Sequence, residues 1–176
     1  MPSTRRTFVA DVALAAGLLV LPSCRPKRLA VTAPSVLSRA EWEILDHVSE
    51  RLLPADDTPG ARAANVVGYI DAQLADPHLS IFKTELRTGL WTIDALAEQP
   101  NHVGFPRLAA PDQDVILHTF QAAADGPGTF SSSHCFALLL TLTLEGFLSA
   151  PHYGGNREHV GYHTIGYVPE HGWLRP

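Results

Sequence analysis

Glu145 is the one acid inside the most apolar segment of the chain, "CFALLLTLTLEGFL", residues 135–148. A carboxylate in such surroundings has two readings. It is a general acid or base whose pKa burial has raised, or it is a structural anchor that accepts hydrogen bonds, because an unpaired buried carboxylate is costly. The next residues favour the anchor. The stretch "SAPHYGGNREHVGYHTIGY", Ser149 to Tyr167, offers consecutive backbone N–H groups at "YGGN" and a charge at Arg157.

The histidines raise a metal reading. His152, His159, His163 and His171 lie in the tail, and His159 and His163 are spaced as zinc ligands on a helix often are. The rest of a zinc pattern is missing. There is no His-Glu-x-x-His, no cysteine pair, no carboxylate at a standard interval, and Gly161 and Gly166 interrupt any helix. "SSSH" at 131–134 sets serine beside histidine, but sequence neighbours rarely form a triad, and a helix-start cap explains them better. No Gly-x-Ser-x-Gly, no Gly-x-Gly-x-x-Gly, no phosphate loop and no Cys-x-x-Cys-His occurs. No residue is therefore assigned a catalytic, cofactor-binding or metal-binding role. What remains is a loop of Gly154, Gly155, Gly161 and Gly166 with Tyr153, Tyr162, Tyr167 and Trp173, joined by Asn156 and Arg157. Glycines allow close backbone approach, and aromatics with arginine are what interface anchors use. The same aromatics would serve equally by folding back on the chain's own core.

Helices must position this loop. Ser38 with Glu41 three residues on fits a capping box, and Trp42, Leu45, Val48 and Leu52 follow at helical spacing until Pro54. Thr58-Pro59 reads as the N-cap and first turn of a second helix, with Val66, Val67, Ile70 and Leu74 on its core face. Asp76-Pro77 stops it and opens a third, striped by Phe82, Leu86, Leu90, Ile93 and Leu96. "EQPNHVGFP" reads as a loop with Phe105 as a plug. Pro111 opens a fourth helix carrying Val115, Ile116 and Phe120, and "DGPG" is a turn. The fifth, about Ser133 to Ser149, is apolar nearly all round, which predicts burial on several sides. The expectation is one all-α domain of about five helices around a buried apolar helix, with an irregular Gly/aromatic-rich tail.

Composition agrees with a single domain of 176 residues, 45% hydrophobic. Thirteen basic against eighteen acidic residues give a net charge of -5, which argues against a nucleic-acid-binding surface. The N-terminus differs in kind. Arg5-Arg6, with Phe8 two residues on, precedes a short apolar run from Val9 to Leu21 that is too short to span a bilayer comfortably. This is the layout of an export signal, similar to the twin-arginine kind. That route moves folded cargo, often with a cofactor or a partner attached. The run ends Leu21-Pro22-Ser23-Cys24, which resembles a lipobox in which Cys24 would become the lipidated first residue. Ordinary cleavage nearby, or an uncleaved anchor, is the rival. The expected organisation is a signal over 1–24, a linker over 25–37 and a domain over 38–176. Cys135, among apolar neighbours, is expected to be buried.

Two blocks together suggest a family. "LLPADDTPGA", Leu52 to Ala61, and "GFLSAPHYGGN", Gly146 to Asn156, occur in order within a stretch of about residues 38 to 168 that resembles gluconate 2-dehydrogenase subunit 3. The resemblance implies a small, non-catalytic subunit that accompanies a glucose-methanol-choline (GMC) type flavoprotein carrying FAD. A multihaem cytochrome c often completes such complexes at the periplasmic face of the inner membrane. The small subunit is thought to assist export and maturation of the flavoprotein. Two departures stand out: Tyr162 where the family often has tryptophan, and Cys24, which the family does not require. Under this resemblance Glu145, Tyr153, Gly154, Gly155, Asn156, Arg157, Tyr162 and Tyr167 form a structural loop that doubles as a partner contact. The rivals are an orphan exported lipoprotein with a scaffold role and a free-standing enzyme using Glu145 with the tail histidines.

Overall fold

The computed structural model describes residues 33–123 and 130–168, the side chains of 100 and 101 excepted. Arg5, Arg6, Phe8, Cys24, His171, Trp173 and the "DGPG" turn lie outside the described residues. The regular structure of the described chain is all helical, with no strand.

Helix α1 (Arg39–Leu52) starts as its sequence demands: Ser38 Oγ accepts from Glu41 N–H at 3.3 Å, and Ser38 N–H donates to Glu41 Oε2 at 2.7 Å. Ile44, Leu45 and Val48 face inward. The chain does not wait until Ser38 to join the fold. Asp71 is fully buried and accepts from the N–H groups of Ser35, Val36 and Leu37 and from Ser35 Oγ, at 2.6–3.0 Å. The end of the expected linker is thus strapped down, with Leu37 in the core.

Helix α2 (Val66–Gln73) starts eight residues after Thr58, not at it. Thr58 is held by Asp56, whose Oδ1 accepts from its N–H at 2.9 Å and its hydroxyl at 3.0 Å, so Thr58 closes a turn capped by Asp56 instead of capping a helix itself. The loop closes through Ala61 N–H on Leu53 O at 2.9 Å and Arg62 N–H on Glu50 Oε2 at 2.9 Å. It ends at Asn65 in the left-handed region, φ 59°.

A short 3-10 turn, Ser80–Phe82, leads into α3 (Lys83–Asn101), which also runs four residues into the expected "EQPNHVGFP" loop. Leu86, Leu90, Ile93 and Ala97 are buried along it. Phe105 is the expected plug: it is fully buried, its N–H donates to Asp94 Oδ1 at 2.7 Å, and its carbonyl accepts from Gln113 Nε2 at 3.0 Å. Helix α4 (Ala110–Ala122) buries Gln113, Ile116, Leu117 and Phe120, whereas Val115 points outward at 62% exposure. Val115 sits one position off the inward stripe.

Helix α5 (Ser132–Leu148) is capped by Ser131 Oγ, which accepts from His134 N–H at 3.1 Å. It touches each of α1 to α4 and shares the centre of the fold with α1, which touches each of α2 to α5. It is not enclosed. Cys135, Leu139, Leu142, Thr143, Gly146 and Phe147 face the core, but Leu140, Leu144, Leu148 and Glu145 are exposed. After it, two 3-10 turns, Pro151–Tyr153 and Arg157–His159, lead to the one-turn helix α6 (Val160–Thr164).

Candidate partner interface

The two sequence blocks, about 90 residues apart, meet in space. Asn65, just after the first block, sends its Nδ2 to Gly154 O in the second at 2.8 Å. Arg157 N–H donates to Ala64 O at 3.1 Å. Asn156, fully buried, does most of the fastening. Its N–H donates to Gly146 O at 2.8 Å, its Nδ2 donates to Ser149 O at 2.9 Å, and its Oδ1 accepts from Gly161 N–H at 2.8 Å. One amide side chain thereby satisfies a donor and an acceptor that irregular backbone would otherwise strand.

The fit explains two glycines. A Cβ on Gly155 would collide with Gly146 O, and one on Gly161 with Phe147 O. Both backbones must lie directly against the C-terminal turn of α5. The path also holds Asn156, Glu158 and His159 at φ 42°, 55° and 61°, each in a conformation that costs an L-residue about 1 kcal/mol. The hydrogen bonds of Asn156 outweigh that strain.

This arrangement reassigns two expected roles. Glu145 is exposed and anchors none of the tail; Asn156 is the anchor. An apolar segment without periodicity gave no sign of which face Glu145 would take. Arg157 is exposed, and among the described residues it forms no ion pair with Glu145. Asn156 is unavailable to any partner while the loop is folded.

What remains available is an apolar strip. Leu140, Leu144 and Leu148 recur at helical spacing along the outer face of α5 at 37–42% exposure, and Tyr153 continues the strip at 54%. Leu144, Leu148, Ala150 and Tyr153 line a shallow hollow with Tyr69 and Glu145. Burial, the charge of Glu145 and a hydrogen bond to that carboxylate push the Tyr69 phenol above its ordinary value. Beyond the hollow, Ile165, Tyr167 and Val168 are exposed. Tyr167 packs edge-on against Tyr162 with ring centroids 5.0 Å apart, and His159 stacks on Tyr162. Among the described residues, Tyr162 and Tyr167 thus pack on one another, and Tyr153 lies against His152 with ring centroids 4.0 Å apart.

Among the described residues no three His, Cys, Asp or Glu side chains converge as a metal site would require. His152 and His163 are exposed, His159 half-buried. Cys135 is fully buried, and burial with the nearby Glu85 charge pushes its thiol up to about 12, which leaves it protonated and inert. The most perturbed carboxylate, Glu41, is structural. Burial works against its charge, but hydrogen bonds from Arg87, Ser38 and Trp91 outweigh that and bring it to about 2. The sequence offered Glu41 only as a cap; its burial depends on residues 46 and 50 positions away.

A family model for gluconate 2-dehydrogenase subunit 3 matches residues 39–169. The chain belongs to that family. The family is that of a subunit of a dehydrogenase complex. The match begins at the first residue of α1 and ends just past the last described residue, so it includes both sequence blocks and the knot of hydrogen bonds that joins them through Asn65 and Asn156. No curated protein and no solved structure matches the chain. No helix among the described residues is long and apolar enough to cross a membrane.

Proposed function

We propose that this chain is the non-catalytic small subunit of an exported, flavin-dependent dehydrogenase that oxidises an alcohol or sugar acid. It docks on the FAD-bearing GMC-type catalytic subunit through the outer face of α5 and the loop that follows. The observation that supports docking is the strip Leu140, Leu144, Leu148 and Tyr153, left uncovered along a helix that otherwise packs against α1 to α4 and on the turn that follows it. Apolar surface of this kind, rimmed by polar groups, marks interaction sites. Family membership supplies the kind of assembly.

The same reading gives the N-terminus its work. Arg5, Arg6 and Phe8 direct twin-arginine export of a folded assembly, and the small subunit carries the flavoprotein with it to the periplasm. Cys24 would add a lipid anchor to the cytoplasmic membrane, and a multihaem cytochrome c would accept the electrons.

The test is an affinity pull-down of the chain, tagged at its C-terminus, from the membranes and periplasm of its host, read by absorption from about 300 to 600 nm. Flavin bands with a large co-eluting chain are the expected result, and haem bands would add the cytochrome. A colourless, solitary chain across mild detergents overturns the subunit reading in favour of an orphan lipoprotein with a scaffold role. Replacing Arg5 and Arg6 with lysine should strand both chains in the cytoplasm; continued export of the flavoprotein would remove the escort role.

A further inference from the structure

The strip on α5 is apolar, yet its hollow is not neutral. Glu145 stands at its edge, exposed, one position from Leu144, with Tyr69 facing it from α2. A partner that covered this hollow with aliphatic side chains alone would strip water from the carboxylate and give nothing back, at a cost of several kcal/mol. The surface therefore selects against a purely greasy occupant.

We propose that the hollow lined by Leu144, Glu145, Leu148 and Tyr153 receives an arginine side chain from the dehydrogenase catalytic subunit. This rests on the subunit reading above and specifies its central contact. The lining matches the whole of that side chain. Leu144 and Leu148 offer aliphatic wall for the methylene stem. The exposed Tyr153 ring offers a face for the guanidinium plane. Glu145 offers carboxylate oxygens to the guanidinium fork, and Tyr69 lines the same hollow beside it. Lysine would answer the charge but not the fork or the ring, and its compact ammonium holds its water more tightly. A charged pair closed off by leucines and a tyrosine is the arrangement of an interface hot spot, with apolar contacts excluding water around it.

The test uses the complex itself: the two chains isolated together from the host, separated and reassembled, with Kd read by biolayer interferometry. Glu145→Gln should raise Kd about tenfold or more and Glu145→Arg further still, since removing one partner of a covered charge pair costs more than a rim charge does. Glu145 is exposed and makes none of the tail's fastening bonds, and Glu145→Gln keeps an acceptor oxygen for the Tyr69 phenol, so this variant should keep the wild-type circular dichroism and melting curve; Glu145→Arg removes that acceptor, and its circular dichroism is checked before its charge swap is read. A photoreactive p-benzoylphenylalanine in place of Leu148 should then crosslink to a segment of the catalytic subunit that contains an arginine. Reversing that arginine to glutamate should weaken wild type and restore Glu145→Arg. An unchanged Kd for Glu145→Gln, a crosslinked segment without arginine, or a charge swap that restores nothing overturns the proposal while the complex still stands. A wild-type chain that captures no flavin-bearing subunit sinks the subunit reading, and the arginine with it.

Discussion

The two irregular ends of this domain are fastened by opposite chemistry. At the N-terminal end the fasteners are buried carboxylates. Asp71 gathers four donors from residues 35–37, and Glu41 gathers Ser38, Arg87 and Trp91. At the C-terminal end they are amides, Asn65 and Asn156. The backbone being held explains the choice. Residues 35–38 turn N–H groups toward the core, and an acceptor-only carboxylate satisfies several donors at once. The tail turns both a carbonyl, Ser149 O, and an N–H, Gly161, toward one spot, and only an amide donates and accepts there. The N-terminal end is therefore tied to proton concentration through Glu41, whose carboxyl is held down to about 2.

Exchanging the two chemistries should produce the largest effects. Asn156→Asp keeps the shape but sets a carboxylate oxygen against Ser149 O and buries a charge. We expect a loss of about 3 to 4 kcal/mol at neutral pH, a fall in Tm of about 10 °C, measured by calorimetry. Its pH dependence has a definite sign. The variant carboxyl is destabilised in its charged form, so its folded pKa lies above its unfolded one, and the penalty shrinks as acid restores an O–H donor. A variant whose penalty held constant from pH 7 to pH 4 would show that shape alone, not the donor–acceptor pair, fastens the tail.

The reciprocal exchange should cost less. In Asp71→Asn the new amide N–H groups confront N–H or O–H donors of residues 35–37, and a loss of about 2 kcal/mol is expected, with faster hydrogen exchange at those amides. Glu41→Gln should lose a similar amount, about 2 kcal/mol, at pH 7. Glu41 lies near 2 in the folded protein against an ordinary 4.5, so its contribution is complete above about pH 4.5 and is lost as pH falls toward 2. Wild type and Glu41→Gln should then converge across that window in denaturant titrations. Parallel curves would mean the ion pair with the half-exposed Arg87 adds nothing that pH can remove.

The same contrast shows which parts of the fold were legible in the sequence. The capping box at Ser38 and Glu41, the Ser131 cap, the Phe105 plug and the helix opened by Pro111 are local, and local chemistry can be read from neighbours. The knot is not local. Nothing in "ARAAN" says that Asn65 will cap Gly154, 89 positions away, and that pairing is what turns two separate blocks into one structure. The start of α2 failed for a related reason: Thr58-Pro59 has the residues of a helix start, but Asp56 and Glu50 claim that loop first. The side of α5 facing solvent was also hidden, since leucine fills both its buried and its exposed positions. The unpaired apolar face that supports the proposed docking is thus what an all-apolar pattern cannot display.

The smallest expected effect separates fastening from strain. Glu158 is exposed and left-handed, φ 55°, between the buried Asn156 and the stacked His159. Its side chain makes none of the knot's bonds, so its conformation is a cost imposed by the path of the chain. Glycine adopts that conformation freely but loses more entropy on folding, and the two effects partly cancel. Glu158→Gly should therefore stabilise the domain by about 0.5 kcal/mol, raising Tm by roughly 2 °C. It should leave the Kd for the catalytic subunit unchanged, because the proposed arginine seat lies at Glu145. A stabilised variant that bound its partner more weakly would place Glu158 in the interface and move the docking face from α5 toward α6.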